Sequence, residues 1–271
     1  MEERVSVTIS DGVADVRLVR ADKMNALDAA MFDALVATSE RLAHEKGVRA
    51  VVLSGEGRSF CAGLDMDRFA AMKEKGGNGV AGGEERDLTR RTHGAANFPQ
   101  QAVWGWRQLP VPVIAAIQGV AFGGGFQLAL GADMRFLSPD ARMSIMEIKW
   151  GLVPDMAGTP ILASLVRDDI LRELTYTGRI FSAQEALGYG LATRICDDPR
   201  ATAFEVAREI AGKSPDAIRA AKRMLNNLSV DPGPALLAES VEQQKLLGSP
   251  NQTEAVRANM EKRAPRFAEA G

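Results

Sequence analysis

Basic charge, cysteine and histidine are all scarce in this chain, and each shortage closes off a class of function. Lys and Arg number 33 against 35 Asp and Glu, a net charge of −2, so no basic field for nucleic acid is expected. Two cysteines, Cys61 and Cys196, are too few for a disulfide framework, and a reducing, cytoplasmic setting is the default expectation. The two histidines, His44 and His93, have no metal-ligating neighbours at useful spacing. Neither a metal site nor a Ser-His-Asp hydrolase is therefore expected. Also missing are G-x-S-x-G, a P-loop ending in Lys-Ser/Thr, and G-x-G-x-x-G behind the first strand. The single match to the last pattern, at 77–82, lies in a polar stretch with no strand before it. The opening MEERVSVTIS carries acids and no apolar run of a signal peptide. The apolar run 111–131 is about long enough to cross a bilayer. Pro112, Gln118, Gln127 and three glycines inside it make it a buried core segment instead, with no membrane partner expected.

That run, VPVIAAIQGVAFGGGFQLALG, organises the rest. The spacing predicts a buried strand at 113–117, a loop through Gly123, Gly124 and Gly125, and a helix from Phe126. A helix start leaves free N–H groups with partial positive charge. The N–H of Gly124 is thus a candidate donor to a developing oxyanion; a plain packing turn is the other reading. A second loop, RSFCAGLDM at 58–66, also follows a strand and precedes helical patterning at 67–72. Two such turns can each give one backbone donor to one oxygen.

In chain order, 5–9 and 13–18 read as a hairpin around Ser10-Asp11-Gly12. Asp28 is placed as the N-cap of a helix over 29–44 that Gly47 ends. A strand follows at 49–53. The stretch 73–100 changes character, with five glycines in 76–83 set among polar residues, and its first half is expected to be a mobile surface insertion, either a flap beside a ligand site or a loop with no role. Next come a helix over 98–109, a strand at 132–137, a helix from 159 to 166 resuming at 172–177, a capping box from Ser182 to Glu185, and a strand at 191–195. From Asp198 the pattern is helical: 201–211, 215–228, 233–247 and 253–262. Length allows one large domain or a domain with an appendage. The order implies an α/β fold, with a core over 1–198 and a helical region over 199–271.

Glu147 is the leading acid/base candidate, because Met143, Ile145, Met146 and Ile148 surround it in sequence, and burial suits a carboxyl to proton transfer. Asp155 follows eight residues later, in a loop after Pro154. A turn between them can bring both carboxyls to one cavity. The structural readings are that Glu147 pairs with Lys149 or an arginine, and that Asp155 caps the helix near Thr159. Asp133 and Arg135 read as a structural pair, and Cys61 as a packing residue.

Taken together, RADKMNAL (20–27), GRSFCAGLDM (57–66), AAIQGVAFGGGFQLALGAD (115–133) and EALGYGL (185–191) resemble the crotonase superfamily of enoyl-CoA hydratases and isomerases, over nearly the whole chain. The resemblance implies repeated ββα units in a superhelix and a C-terminal helical region that builds homotrimers or a hexameric dimer of trimers. It implies an acyl-CoA thioester substrate, with CoA as part of the substrate and no separate cofactor. It puts the two oxyanion N–H donors on Ala62 and Gly124. CoA is expected near Lys23, Met24 and Ala26, and near Leu64, Asp65 and Met66. Hydratases of the family use two glutamates. The second matches Glu147, but the first falls on Gln127, which cannot act as a base. Asp155 matches an acid of the Δ3,5–Δ2,4-dienoyl-CoA isomerases, whose third acid again falls on Gln127. The resemblance therefore points to such an isomerase in fatty acid metabolism. A 2-enoyl-CoA hydratase in which Gln127 positions water, and a non-catalytic acyl-CoA-binding protein, stay open.

Overall fold

The computed structural model describes residues 3–65, 88–228 and 249–269. Two sheets carry it. The larger has strand order β1 (Val5–Ser10), β2 (Val13–Leu18), β3 (Ala50–Gly55), β4 (Val113–Ile117), β6 (Met134–Leu137) and β9 (Arg194–Ile195). The smaller joins β5 (Val120–Phe122), β7 (Arg142–Ser144) and β8 (Phe181–Ser182). Only β1–β2 is antiparallel in the larger sheet. Its turn places both Asp11 and Gly12 at positive φ, the twist that a two-residue hairpin needs.

Central strands buried on both faces read as continuous apolar runs. β3 and β4 are buried throughout. One face is covered by α1 (Ala29–His44) and α2 (Phe98–Gln108), which bury Met31, Leu35, Leu42 and Trp106. Asp28 caps α1 by accepting from the Met31 N–H at 2.8 Å. On the other face, Ala203, Ala207 and Ala211 of Pro199–Ala211 pack on Val52, Ile114 and Phe136. Small residues at every fourth position form one stripe, so this helix sits close to the sheet. Thus the segment after 198 supplies one layer of the core. Among the described residues no helix is long and apolar enough to cross a membrane.

Several expected boundaries move. The helix from 159 appears as Gly158–Leu162 and restarts as Asp168–Thr177, where Asp168 and Asp169 favour a new N-terminus. The last strand keeps only Arg194–Ile195, because the Leu191 and Ala192 N–H groups donate to the Ala186 carbonyl at a helix end. α1 keeps its expected range to His44, but its C-cap is Glu45 and not Gly47. The expected helices at 67–72 and 233–247, and the insertion up to residue 87, lie outside the described residues. The insertion's remainder ends in a capping box on Asn97 that starts α2.

Candidate active site

Strand pairing brings the two glycine loops together. Cys61 bridges Ala121 of β5: the Cys61 N–H donates to the Val120 carbonyl at 3.0 Å, and the Phe122 N–H donates to the Cys61 carbonyl at 3.1 Å. Gly125, at the start of the helix Gly124–Leu130, packs so closely here that a methyl group would meet the Cys61 carbonyl at 2.3 Å. Gly63 turns the chain at φ +91°, and a methyl there would meet the Phe122 carbonyl at 2.6 Å. Only glycine fits either place.

Donor accounting corrects one expectation. The Ala62 N–H is already engaged, donating to the Met24 carbonyl at 2.9 Å, and so is not an oxyanion donor. Gly123 donates to Ser144 at 3.0 Å. The N–H groups of Leu64 and Gly124 have no acceptor among the described residues. Leu64 forms a parallel bridge with Leu27, in which Leu27 and Asp65 make the hydrogen bonds; the residue between such bonds points its own N–H away from its partner. Gly124, at the first helical position, has no intrahelical acceptor. Leu64 and Gly124, in place of the expected Ala62 and Gly124, are therefore the pair of N–H groups left without an acceptor among the described residues. The positive φ at Gly63 and the hydrogen bonds to Met24 and Leu27 together set this, and no spacing rule reveals it.

Glu147 opens a short 3-10 turn, Glu147–Trp150, and is buried. Its Oε1 accepts from Gln127 Nε2 at 2.6 Å, and its Oε2 has no hydrogen-bond partner. Gln127 Oε1 accepts the N–H groups of Met156 and Gly158 at 2.9 and 3.0 Å. Neither structural reading of the two acids holds. Lys149 lies over the Trp150 ring at 5.5 Å, and no ion pair among the described residues includes Glu147 or Asp155. The helix Gly158–Leu162 starts from Ala157 with no side-chain cap, so Asp155 caps nothing. Burial pushes the Glu147 carboxyl above the usual range; the Gln127 donor works against this and the nearby Asp155 charge adds to it. Burial likewise raises Asp155.

One cavity of about 960 Å³ gathers these groups. Lys23, Met24, Ala26, Ala62, Leu64, Asp65, Gly124, Glu147 and Asp155 all line it; Met66 lies outside the described residues. Asp65 pairs with Arg20 at 2.5 Å. Met24 and Asn25 are both left-handed, and the Asn25 amide donates to the Glu56 and Ser59 carbonyls at 2.9 Å, fixing the 20–27 loop. Sequence reasoning missed the apolar wall of Phe32, Trp150, Leu152, Val153 and Ile180, because it comes from three separate segments. Cys61 is fully buried and its thiol is pushed up to about 12 by burial, as a packing residue. The expected Asp133–Arg135 pair is not formed. Asp133 binds Lys222 at 2.8 Å, while Arg135 donates to the Leu191 and Ala132 carbonyls.

Residues 8–270 match the family described as Enoyl-CoA hydratase/isomerase. A carnitinyl-CoA dehydratase of Proteus mirabilis is 33% identical over 275 residues, covering 98% of this chain and 99% of its own. A peroxisomal Δ3,5–Δ2,4-dienoyl-CoA isomerase of Arabidopsis thaliana is 32% identical over 255 residues, covering 92% and 90%. The crystal structure of an enoyl-CoA hydratase from Bacillus anthracis superposes with a TM-score of 0.86 at 31% identity, over 98% of this chain and 99% of that one.

Proposed function

The chain belongs to the enoyl-CoA hydratase/isomerase family, and from that premise we propose that it isomerises Δ3,5-dienoyl-CoA thioesters to the Δ2,4 form. The thioester oxygen lies between the Leu64 and Gly124 N–H groups, which stabilise the enolate as charge develops there. One of Glu147 and Asp155 takes a proton from the carbon alpha to the thioester. The electron pair delocalises along the diene, and the other carboxyl returns a proton at the far end. One proton leaves carbon and one arrives, so the double bonds shift with no net change in composition. Lys23, Met24, Ala26, Leu64 and Asp65, which line the same cavity, hold the CoA portion.

The observation that carries this reading is that both carboxyls line the same cavity as Gly124, and that no ion pair among the described residues includes either. Burial raises both, which suits proton exchange near neutrality. The hydratase alternative draws on the partnerless Glu147 Oε2, a place for a water. In that reading Gln127 can hold the water only by donating its second amide hydrogen, because its oxygen already accepts two backbone N–H groups, so Glu147 alone is left to take the water's proton. A purely binding protein has no use for two desolvated carboxyls. The exposed Val153, Tyr176, Leu225 and Leu228 fit association into a trimer or hexamer, which light scattering measures.

Product analysis on 3,5-dienoyl-, 2-enoyl- and aryl-CoA substrates tests the assignment. Conversion of the diene, with turnover falling about 1,000-fold in Glu147→Gln and in Asp155→Asn while acyl-CoA binding persists, is expected. Hydration of the 2-enoyl thioester with the diene untouched overturns it.

A further inference from the structure

The residue that joins the two carboxyl-bearing segments is Gln127. It is buried at 2% exposure and sits one turn into the helix that opens at Gly124. Two N–H groups, from Met156 and Gly158, converge on one atom of its amide at 2.9 and 3.0 Å. An atom that accepts twice is the carbonyl oxygen, so the amide orientation is fixed by its surroundings. The other atom is then the nitrogen, and it donates to Glu147 Oε1 at 2.6 Å. Packing leaves it no freedom. A methyl on Gly158 would meet the Gln127 Oε1 at 2.7 Å. Asp155 immediately precedes Met156, so the clamp holds the backbone that presents it.

Resting on the two-carboxyl reading above, we propose that Gln127 is a positioning residue. Its amide fixes Glu147 through the nitrogen and the Asp155 loop through the oxygen, making one rigid unit under the Gly124 N–H. Its type follows from this task. A carboxylate at 127 can accept from Met156 and Gly158, but cannot donate to Glu147 unless it holds a proton. An apolar residue does neither.

Two variants separate the halves of the clamp. Gln127→Glu keeps the acceptor for the loop. Its protonated form restores the donor and its ionised form repels Glu147. Its kcat is expected to fall about tenfold or more from about pH 6 to about pH 9 relative to wild type, with KM within about twofold. Gln127→Met removes both halves, and a misplacement on this scale lowers kcat about 100-fold at every pH. Carbon-13 titration of the Glu147 carboxyl, without substrate, is the second readout. In Gln127→Met it moves to higher pH, because a donor to the charged form is lost. Wild-type pH dependence in Gln127→Glu together with an unmoved Glu147 titration in Gln127→Met overturns the proposal. The titration does not depend on which thioester reacts. A moved titration in a protein that hydrates enoyl thioesters keeps the clamp and removes only the isomerase assignment.

Discussion

Replacing a single backbone N–H by an ester oxygen distinguishes the two candidate donors in the 62–64 loop. Incorporating an α-hydroxy acid in place of Leu64 deletes an N–H that has no acceptor among the described residues. The same change at Ala62 deletes the donor to the Met24 carbonyl at 2.9 Å. Each ester also weakens one carbonyl, and the two losses match: Gly63 accepts from Leu27 at 2.8 Å, and Cys61 accepts from Phe122 at 3.1 Å. The effects should therefore cross. At 64, losing one oxyanion donor removes about 3 kcal/mol of transition-state stabilisation, or ~100–1,000-fold in kcat. At 62, kcat stays within about threefold, and stability drops by a further ~1 kcal/mol for the lost hydrogen bond, about 2 °C in Tm for a chain of this size. The assay is isomerisation followed by the ultraviolet band of the conjugated product, beside thermal unfolding of the same samples. A large kcat loss at 62 with near-normal turnover at 64 refutes the donor assignment.

Further outcomes are expected elsewhere. Gly158→Ala, which crowds the Gln127 oxygen, should lower kcat more than it raises KM in steady-state kinetics. A carboxyl whose pKa is higher in the folded chain than in the unfolded one makes the folded chain hold the extra proton between those values, so stability falls as pH rises through that window. Asp155 is raised by burial, so Asp155→Asn should gain Tm over wild type at about pH 8 and gain little at about pH 4. Lys222 donates to the Val111 carbonyl and to Asp133, both at 2.8 Å. Lys222→Met should cost about 2 kcal/mol in urea unfolding, below the ~3–5 kcal/mol of a fully buried pair because the Asp133 side chain is 24% exposed. Alkylation of the native protein should modify Cys196 and spare Cys61, which reacts only on unfolding.

Local chemistry made much of this legible from residues alone. Asp28, the Ser182–Glu185 box and the Asp11-Gly12 turn are decided by hydrogen bonds within a few residues, and a sequence states those directly. The apolar runs of β3 and β4 declare a sheet buried on both sides. Glu147 was legible as chemistry because an acid among methionines and isoleucines must either find a partner or titrate unusually; Asp155, in a loop after Pro154, read locally as a helix cap, and only the resemblance to dienoyl-CoA isomerases marked it as an acid of the site. What stayed hidden depends on contacts between distant segments. Which N–H of the 62–64 loop remains free is decided by Met24 and Leu27, about forty residues away. That Gln127 is a two-ended clamp rather than a missing acid depends on the backbone at Met156 and Gly158. Asp133 looked to Arg135 because they are close in sequence, whereas its partner Lys222 arrives from the second helix after the sheet.

The central claim is that of two carboxyls sharing a cavity with the oxyanion site, one takes a proton from the alpha carbon of a conjugated thioester and the other delivers a proton at its far end. Turnover of a 3,5-dienoyl-CoA in heavy water, with the product examined by NMR, tests it most directly. The account predicts a 2,4-dienoyl-CoA carrying solvent deuterium at the carbon distal to the thioester, and no such product from Glu147→Gln or Asp155→Asn. Recovery of unchanged diene from the wild-type enzyme, or full conversion by both variants, contradicts it.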